Sequence, residues 1–247
     1  MPPYSRHSSA GFSSFGPGPL TPAVKWILIA NVALFVITLI VPQIVEYFGL
    51  IPQAVFERGW AWQLGTYMFL HAGVGHILFN MLGVWMFGVP LEQKWGTRFF
   101  SYYYAITGLG GGATMLLISL LPFAATAPAY HSVTIGASGA LFGLLLAFAL
   151  YFPNVPILIM LVIPVPARVF VMIFGAIAFL NSFQPGRGVA DAAHLGGLVT
   201  GYLYLQGGPG GLSTEIKYRY LKWKMNRMRR KFGVYSGGRS DWDRKVH

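Results

Sequence analysis

Long apolar segments alternate with short polar ones along most of this chain of 247 residues. Most of these segments approach the roughly 20 residues that a helix needs to cross the hydrocarbon core of a bilayer. The pattern predicts six membrane-spanning helices, which we place at residues 22–41, 74–91, 99–121, 138–152, 166–183 and 189–206. The predicted fold class is therefore an all-α polytopic membrane protein whose six helices form a compact bundle over residues 22–206.

Two segments between the predicted helices do not fit a spanning helix. Residues 43–68 mix charged side chains with Trp and Phe, which is typical of a folded loop lying in the membrane interface. Pro164 and Pro166 interrupt the apolar run that follows the fourth helix, and proline breaks a helix. Residues 157–163 are accordingly predicted to form an interfacial turn or a re-entrant piece.

The composition favours a membrane protein over a soluble one. The chain is 55% hydrophobic and only 10% charged, whereas soluble domains carry about 25% charged residues. It contains no cysteine, which excludes disulfides, thiolate metal sites and a cysteine nucleophile. Residues 1–21 are rich in Pro, Gly and Ser and lack the pattern of a removable signal peptide, so we predict a short disordered lead-in.

The formal net charge of +11 is concentrated after the last apolar segment. A basic cluster beside a span usually orients the protein and contacts lipid, so we predict a basic cytoplasmic tail at residues 207–247 and no nucleic-acid binding. Six spans place both termini on one side, which the positive-inside rule assigns to the cytoplasm together with Lys94 and Arg98. The absence of a targeting sequence favours a bacterial plasma (inner) membrane.

A serine flanked by glycines opens the fourth predicted helix. Gly136 and Gly139 would allow a sharp turn there and the close approach of a substrate backbone. His194 lies about one turn inside the sixth helix, which starts from the same membrane face as Ser138, and an imidazole within reach of a serine hydroxyl is the minimum apparatus for acyl transfer. For each residue alone the alternative stays open: Ser138 caps its helix, and His194 bonds a backbone carbonyl.

The second predicted helix carries His76 and Asn80 four residues apart, on one face and near the non-cytoplasmic end. Buried donors aimed at one point stabilise a tetrahedral oxyanion, each typically by about 3 kcal/mol. The backbone N–H of Ser138, at the positive end of its helix, would be a further donor. For Asn80 the alternative is a polar clamp between helices. His71 is predicted to be structural.

Small residues mark the expected contact between the fourth and sixth helices. Gly197 and Gly201 form a Gly-x-x-x-Gly face that lets two helices pack backbone to backbone. We expect Gly143, about a turn beyond Ser138, to receive this face. Such a contact would bring the imidazole of His194 close to the hydroxyl of Ser138.

Together these motifs resemble those of the rhomboid intramembrane serine proteases, over about residues 24–206. The matching motifs, in the family's order, are His76-xxx-Asn80, Gly136-Ala137-Ser138-Gly139 and Ala193-His194-xx-Gly197-xxx-Gly201. The first predicted loop also resembles the family's first loop, although Arg58-Gly59-Trp60-Ala61-Trp62 lacks the family's Trp-Arg dipeptide.

The resemblance implies an endopeptidase that cleaves transmembrane segments near the non-cytoplasmic face. It implies a dyad of Ser138 and His194 without an acidic third member, and an oxyanion hole formed by His76, Asn80 and the Ser138 amide. Asp191 is expected to point toward the membrane edge and to take no part in a triad. No metal or cofactor is implied; the expected partners are the bilayer and single-pass or polytopic membrane-protein substrates.

Other membrane functions fit the residues less well. A metalloprotease needs a His-Glu-x-x-His helix, which this sequence lacks, and an aspartyl protease needs two aspartates within the membrane, where Asp191 stands alone. A transporter would use broken helices and polar groups at the midplane; the break at Pro164 and Pro166 is a slight indication of one, but there is no inverted repeat. The alternative function is a catalytically inactive rhomboid-like protein that binds client transmembrane segments.

Overall fold

The computed structural model describes residues 17–123, 126–159, 163–182, 188–207 and 220–227. Its helices are α1 (Pro22–Ile40), α2 (Ile44–Phe48), α3 (Pro52–Arg58), α4 (Gln63–Thr66), α5 (Val74–Trp95), α6 (Thr97–Ser119), α7 (Ser138–Tyr151), α8 (Ala167–Asn181) and α9 (Gly188–Gly207). Two 3-10 turns, Tyr67–Phe69 and Ala127–His131, and two strands, β1 (Pro156–Ile159) and β2 (Ile163–Pro166), lie between them.

The chain divides into two units. The first ends at Leu203 and the second begins at Tyr204. In the second unit the described residues are the last turn of α9 and a helical segment at 220–227, whose side chains are exposed. The remainder of the predicted tail, and residues 1–16 of the predicted lead-in, fall outside the described residues.

The six longest described helices, α1 and α5 to α9, match the six predicted segments to within a few residues. By length and composition, α1 and α5 are long and apolar enough to cross a membrane, whereas α7 and α8 are apolar but shorter. The predicted end of the second segment at Leu91 is wrong, because α5 continues to Trp95. Gly96, with a φ of 80°, then turns the chain directly into α6.

The prediction of an all-α fold is wrong between α7 and α8. There β1 and β2 pair in an antiparallel hairpin, with Ile157 opposite Val165 and Leu158 opposite Pro164. β-Branched side chains favour strands, and a proline has no N–H for a helix but is tolerated in an edge strand. The described residues of the run that we assigned to an interfacial turn or a re-entrant piece thus belong to a two-stranded sheet.

The predicted first loop contains the three short helices α2, α3 and α4, held together by Gln63. The side chain of Gln63 is fully buried. Its Oε1 accepts a hydrogen bond from the N–H of Ile51 at 3.0 Å, and its Nε2 donates to the carbonyls of Glu46 and Tyr47 at 3.3 Å each. Gln63 follows Trp62 directly, so a Trp-Gln pair anchors this loop although the Trp-Arg dipeptide is absent.

α7 lies at the centre of the first unit and packs against α5, α6 and α8. Its side chains Leu144 and Phe148 are buried, and so are Phe100 and Tyr103 on α6. A helix surrounded in this way must be apolar on every side, which explains why the α7 sequence is the most uniformly apolar of the chain.

A buried carboxylate fastens α1 to α5 and α6. Glu92, near the end of α5, accepts hydrogen bonds from the backbone N–H groups of Ala23 at 2.9 Å and Val24 at 3.0 Å, and from the hydroxyls of Thr21 and Thr97. The first N–H groups of a helix have no partner within the helix, and its N-terminus carries partial positive charge. Glu92 therefore supplies the missing acceptors of α1 and holds the start of α6 as well.

Replacing this carboxylate should destabilise the first unit. In Glu92→Ala, two backbone N–H groups and two hydroxyls lose a charged acceptor in a buried place, so we expect the free energy of unfolding to fall by roughly 3 kcal/mol. Denaturant or thermal unfolding of the detergent-solubilised protein measures the change. Glu46→Ala, which removes an exposed carboxylate, is the matched control and should change stability by less than about 0.5 kcal/mol. Equal effects would contradict the assigned role.

Candidate active site

The structure brings Ser138 and His194 together. Ser138 is the first residue of α7, and its Oγ lies 2.8 Å from Nε2 of His194 in α9. Ser138 does not cap its helix, because the N-cap position belongs to Ala137 and has no side-chain hydrogen bond. The hydroxyl is therefore free of a capping role and faces the imidazole.

The turn before Ser138 depends on Gly136, whose φ of 127° is rarely adopted by residues with a side chain. The N–H of Gly136 donates to the carbonyl of Tyr67 at 2.9 Å, which ties the turn to the first loop. A Cβ added at Gly136 would lie only 2.8 Å from Nε2 of His76 and 3.7 Å from Oγ of Ser138. The missing side chain thus leaves a small space bordered by His76 and the serine.

α7 and α9 meet backbone to backbone one residue after the serine. A Cβ added at Gly197 would overlap the carbonyl group of Gly139, so only glycine fits there. The predicted partner of the α9 glycines was wrong: Gly143 faces α6, where an added Cβ would meet Thr107 at 2.6 Å, and Gly201 faces the Tyr103 hydroxyl on α6. The close contact between α7 and α9 is made by Gly139 and Gly197.

His76 is oriented by the backbone before α5. Its Nδ1 lies 3.3 Å from the N–H of Ala72, which can only donate. In the neutral ring the proton therefore sits on Nε2, the atom that faces Gly136. This tautomer presents an N–H donor to the space beside Ser138.

The hydrogen bond of Asn80 stays within α5. Its Nδ2 donates to the carbonyl of His76 at 2.9 Å, while its buried Oδ1 has no hydrogen-bond partner. The geometry among the described residues thus differs from a polar clamp between helices. A buried polar atom without a partner carries a free-energy cost, and such atoms in native structures often mark functional sites.

His71 is buried beside His76, with 5.0 Å between the ring centroids in an edge-on arrangement. Among the described residues, neither of its ring nitrogens has a hydrogen-bond partner of standard geometry. Burial, and after it the proximity of His76, lowers the pKa of His71 to about 4, against a smaller opposing effect of the Phe69 carbonyl. The ring is therefore neutral near pH 7 and packs against His76 without charge repulsion.

Three residues of the site were missed or misplaced by the sequence reasoning. Phe142 stacks on the His194 ring, with 4.3 Å between centroids and 1° between planes. Asp191 was expected to point toward the membrane edge, but its Oδ1 lies 3.3 Å from Nδ1 of the imidazole. Both could have been found from spacing, because Phe142 is four residues after Ser138 and Asp191 three before His194, each on one helical face.

The third missed residue, Tyr67, lies behind the serine turn. Its hydroxyl donates to the carbonyl of Gly108 at 2.7 Å, and a Cβ added at Gly139 would lie 3.1 Å from it. Burial raises the pKa of Tyr67, so the hydroxyl stays protonated and donates.

Within the described ranges, no group of three His, Asp or Glu side chains could hold a metal ion.

Comparison with known proteins identifies the family. The family model for the rhomboid domain matches residues 58–207, more than half of the chain. The chain belongs to the rhomboid family. The resemblance inferred from the motifs is thereby confirmed, and with it the assignment to a family of integral membrane proteins.

Several curated rhomboid proteins are similar to this chain. RHOMBOID-like protein 1 of Arabidopsis thaliana is 35% identical over 60% of this chain and 35% of its own length. Rhomboid protein 1, mitochondrial, of Saccharomyces cerevisiae is 37% identical over 55% of this chain and 38% of its own length. Rhomboid protease GluP of Bacillus subtilis is 28% identical over 63% of this chain and 27% of its own length.

The matched region thus spans less than half of each of these three relatives. They include a mitochondrial protein as well as a bacterial one, so a bacterial plasma membrane stays a prediction for this rhomboid domain.

Enlarging Gly197 should force α9 away from α7. In Gly197→Ala the added methyl group overlaps the Gly139 carbonyl, and overpacking of this kind costs about 1–3 kcal/mol. We expect a correspondingly lower unfolding temperature in detergent. Gly175→Ala in the middle of α8 is the matched control, because its added Cβ would meet only Leu198, at 3.5 Å. Unchanged stability of Gly197→Ala would show that this contact is not tight.

Proposed function

We propose that this chain is an intramembrane serine endopeptidase that cleaves transmembrane segments of membrane-protein substrates. The observation that carries the proposal is the 2.8 Å distance between Oγ of Ser138 and Nε2 of His194. It is supported by membership of the rhomboid family and by the similarity to a protein named rhomboid protease.

In the proposed reaction, Ser138 and His194 act as a nucleophile and a general base. As Oγ attacks the carbonyl carbon of the scissile peptide, Nε2 takes the hydroxyl proton. The imidazolium then gives this proton to the leaving amine nitrogen, and an acyl-enzyme remains. Water, activated by the same imidazole, hydrolyses the ester and restores the serine.

The oxyanion of the tetrahedral intermediate would form beside Ser138, where three donors are available. The Nε2–H of His76 faces this space. The backbone N–H of Ser138 lies at the positive end of α7, where it has no partner within the helix. The amide of Asn80 would turn toward the oxyanion when charge develops there. Fixed donors of this kind stabilise the transition state more than the substrate.

The proposed membrane arrangement has six spans: α1, α5, α6, α7, α8 and α9. It is supported by large apolar side chains that are exposed on the outer helices, such as Ile40 on α1, Phe79 on α5 and Leu180 on α8. Water would disfavour so extensive an apolar surface, whereas lipid does not. The folded first loop, with Tyr47, Trp60 and Trp62 stacked in succession, would lie at the interface, where aromatic rings are favoured.

Both termini would lie on the cytoplasmic side, with Ser138 near the opposite face. This orientation follows from the six spans and from the basic residues outside the bilayer, Lys94 and Arg98 among them. Substrates would accordingly be cleaved near the non-cytoplasmic face.

The orientation can be tested directly, because the chain contains no cysteine. His131→Cys and Asn154→Cys place single thiols at exposed positions before and after α7. On intact cells or spheroplasts, a membrane-impermeant maleimide should label position 131, and it should label position 154 only after permeabilisation. Cysteine-free protein is the control, and labelling of position 154 in intact cells would contradict the proposed orientation.

The reaction itself is tested with a transmembrane reporter. Ser138→Ala and His194→Ala should each abolish cleavage while the protein still inserts and folds, because each removes a reacting group. His76→Ala and Asn80→Ala should reduce turnover by less, since several donors share the oxyanion. Ser101→Ala, an exposed helical serine bonded to the Thr97 carbonyl, is the matched control and should cleave like wild type.

Two outcomes would contradict the proposal. Full cleavage by purified Ser138→Ala would exclude the serine as nucleophile. A fluorophosphonate that labels an active rhomboid protease but not this wild-type protein would favour the alternative, an inactive protein that binds client transmembrane segments.

A further inference from the structure

An acidic side chain lies on the far side of His194 from the serine. Oδ1 of Asp191 is 3.3 Å from Nδ1 of the imidazole, and Nε2 of the same ring is 2.8 Å from Ser138. The three side chains therefore form a continuous row from carboxylate to hydroxyl. Asp191 and His194 are largely buried, with 17% and 18% of their side-chain surfaces exposed.

The arrangement constrains the proton of the imidazole. A neutral imidazole carries one proton, and Nε2 can accept the Ser138 proton only if this proton sits on Nδ1. An ionised carboxylate can only accept hydrogen bonds, so at Nδ1 it favours the tautomer that leaves Nε2 free. A backbone N–H in the same place would impose the opposite tautomer, as Ala72 does for His76.

The ring is also held in its plane. Phe142 of α7 stacks on His194 with 1° between the planes. Stacking fixes the tilt of the imidazole but leaves rotation within its own plane, and contacts at both ring nitrogens stop that rotation. The hydrogen bond to Asp191 thus completes the restraint that Phe142 and Ser138 begin.

We propose that Asp191 is a positioning residue, which holds His194 in the orientation and tautomer that let Nε2 take the proton of Ser138. This inference rests on the proposed function of the Ser138–His194 pair. During attack, the Ser138 proton moves to Nε2, the Nδ1 proton stays on Nδ1, and Asp191 remains a carboxylate beside the imidazolium. No proton is transferred to Asp191.

Within the part of the chain that the structure describes, the other groups near the ring do not provide this restraint. On α5, His76 is the titratable neighbour, and its Nε2 faces Gly136. On α7 the neighbours are Ser138 and Phe142. Near His194, α9 meets α6 at Gly110, Gly111 and Thr114, which carry no charge.

A second explanation is that Asp191 serves α9 alone, since an acid in the first turn of a helix is favourable. The double variant Val189→Asp/Asp191→Ala separates the two roles. It keeps a carboxylate in the first turn of α9 but places it about 140° around the helix from His194, away from the face that carries the imidazole.

The test uses the full-length protein in detergent with the transmembrane reporter. Asp191→Ala and the double variant should both show at least about tenfold lower kcat, with KM within about twofold of wild type, because the defect lies in His194 rather than in substrate binding. The double variant should unfold at the wild-type temperature. Restored kcat in the double variant would overturn the proposal, and so would unchanged kcat in Asp191→Ala.

A spectroscopic readout does not depend on activity. Nitrogen NMR of histidine-labelled protein, with the His194 signals assigned from His194→Ala, should show Nδ1 protonated and Nε2 unprotonated in wild type. In both Asp191 variants the two tautomers should mix. Failure of the wild type to cleave, with this tautomer change intact, would count against the proposed function alone; cleavage by the wild type with no tautomer change would count against the role of Asp191 alone.

Discussion

Two helices can meet backbone to backbone only where neither presents a side chain, and the geometry of the candidate site in this rhomboid depends on one such contact. Gly197 of α9 lies against the Gly139 carbonyl of α7. Ser138 is one residue before this point on α7, and His194 is almost one turn before it on α9. The distance between hydroxyl and imidazole is therefore set by the rigid backbones of two helices and much less by flexible side chains. A site built on helices in this way holds its geometry more accurately than one built on loops.

The polar groups of the first unit serve different purposes at its two ends. Near the end of α5, the Glu92 carboxylate has a full set of donors and fastens three helices. Toward the opposite end of α5, Oδ1 of Asn80 lacks a hydrogen-bond partner among the described residues, and so do the ring nitrogens of His71 just before the helix. A satisfied network stabilises a fold, whereas unsatisfied groups cost stability and are found where function requires them. The contrast separates the part of α5 that holds the bundle from the part that would act in catalysis.

Much of the helical framework, and the Ser, His and Asn residues of the candidate site, could be predicted from the sequence. Apolar segments located α1 and α5 to α9 because the span length and the absence of charge are local properties. The spacing of His76 and Asn80 placed them on one face, and three motifs in order indicated the family. The hairpin of β1 and β2 was missed because a short apolar run broken by prolines does not distinguish a turn from a strand pair. The end of α5 was missed because Glu92 is polar in sequence but buried by partners from α1 and α6.

By itself the sequence determined where the long helices lie and which polar residues are candidates for chemistry, and it placed Ser138 and His194 near the same ends of their helices. Only the tertiary structure decided which faces meet: Gly143 turns to α6, Gly139 receives Gly197, and Asp191 reaches the imidazole. The physical reason is that neighbouring residues of a helix point about 100° apart, so a small rotation of the helix changes the partner of every side chain. That rotation is set by the packing of all surrounding helices together, which no single segment encodes.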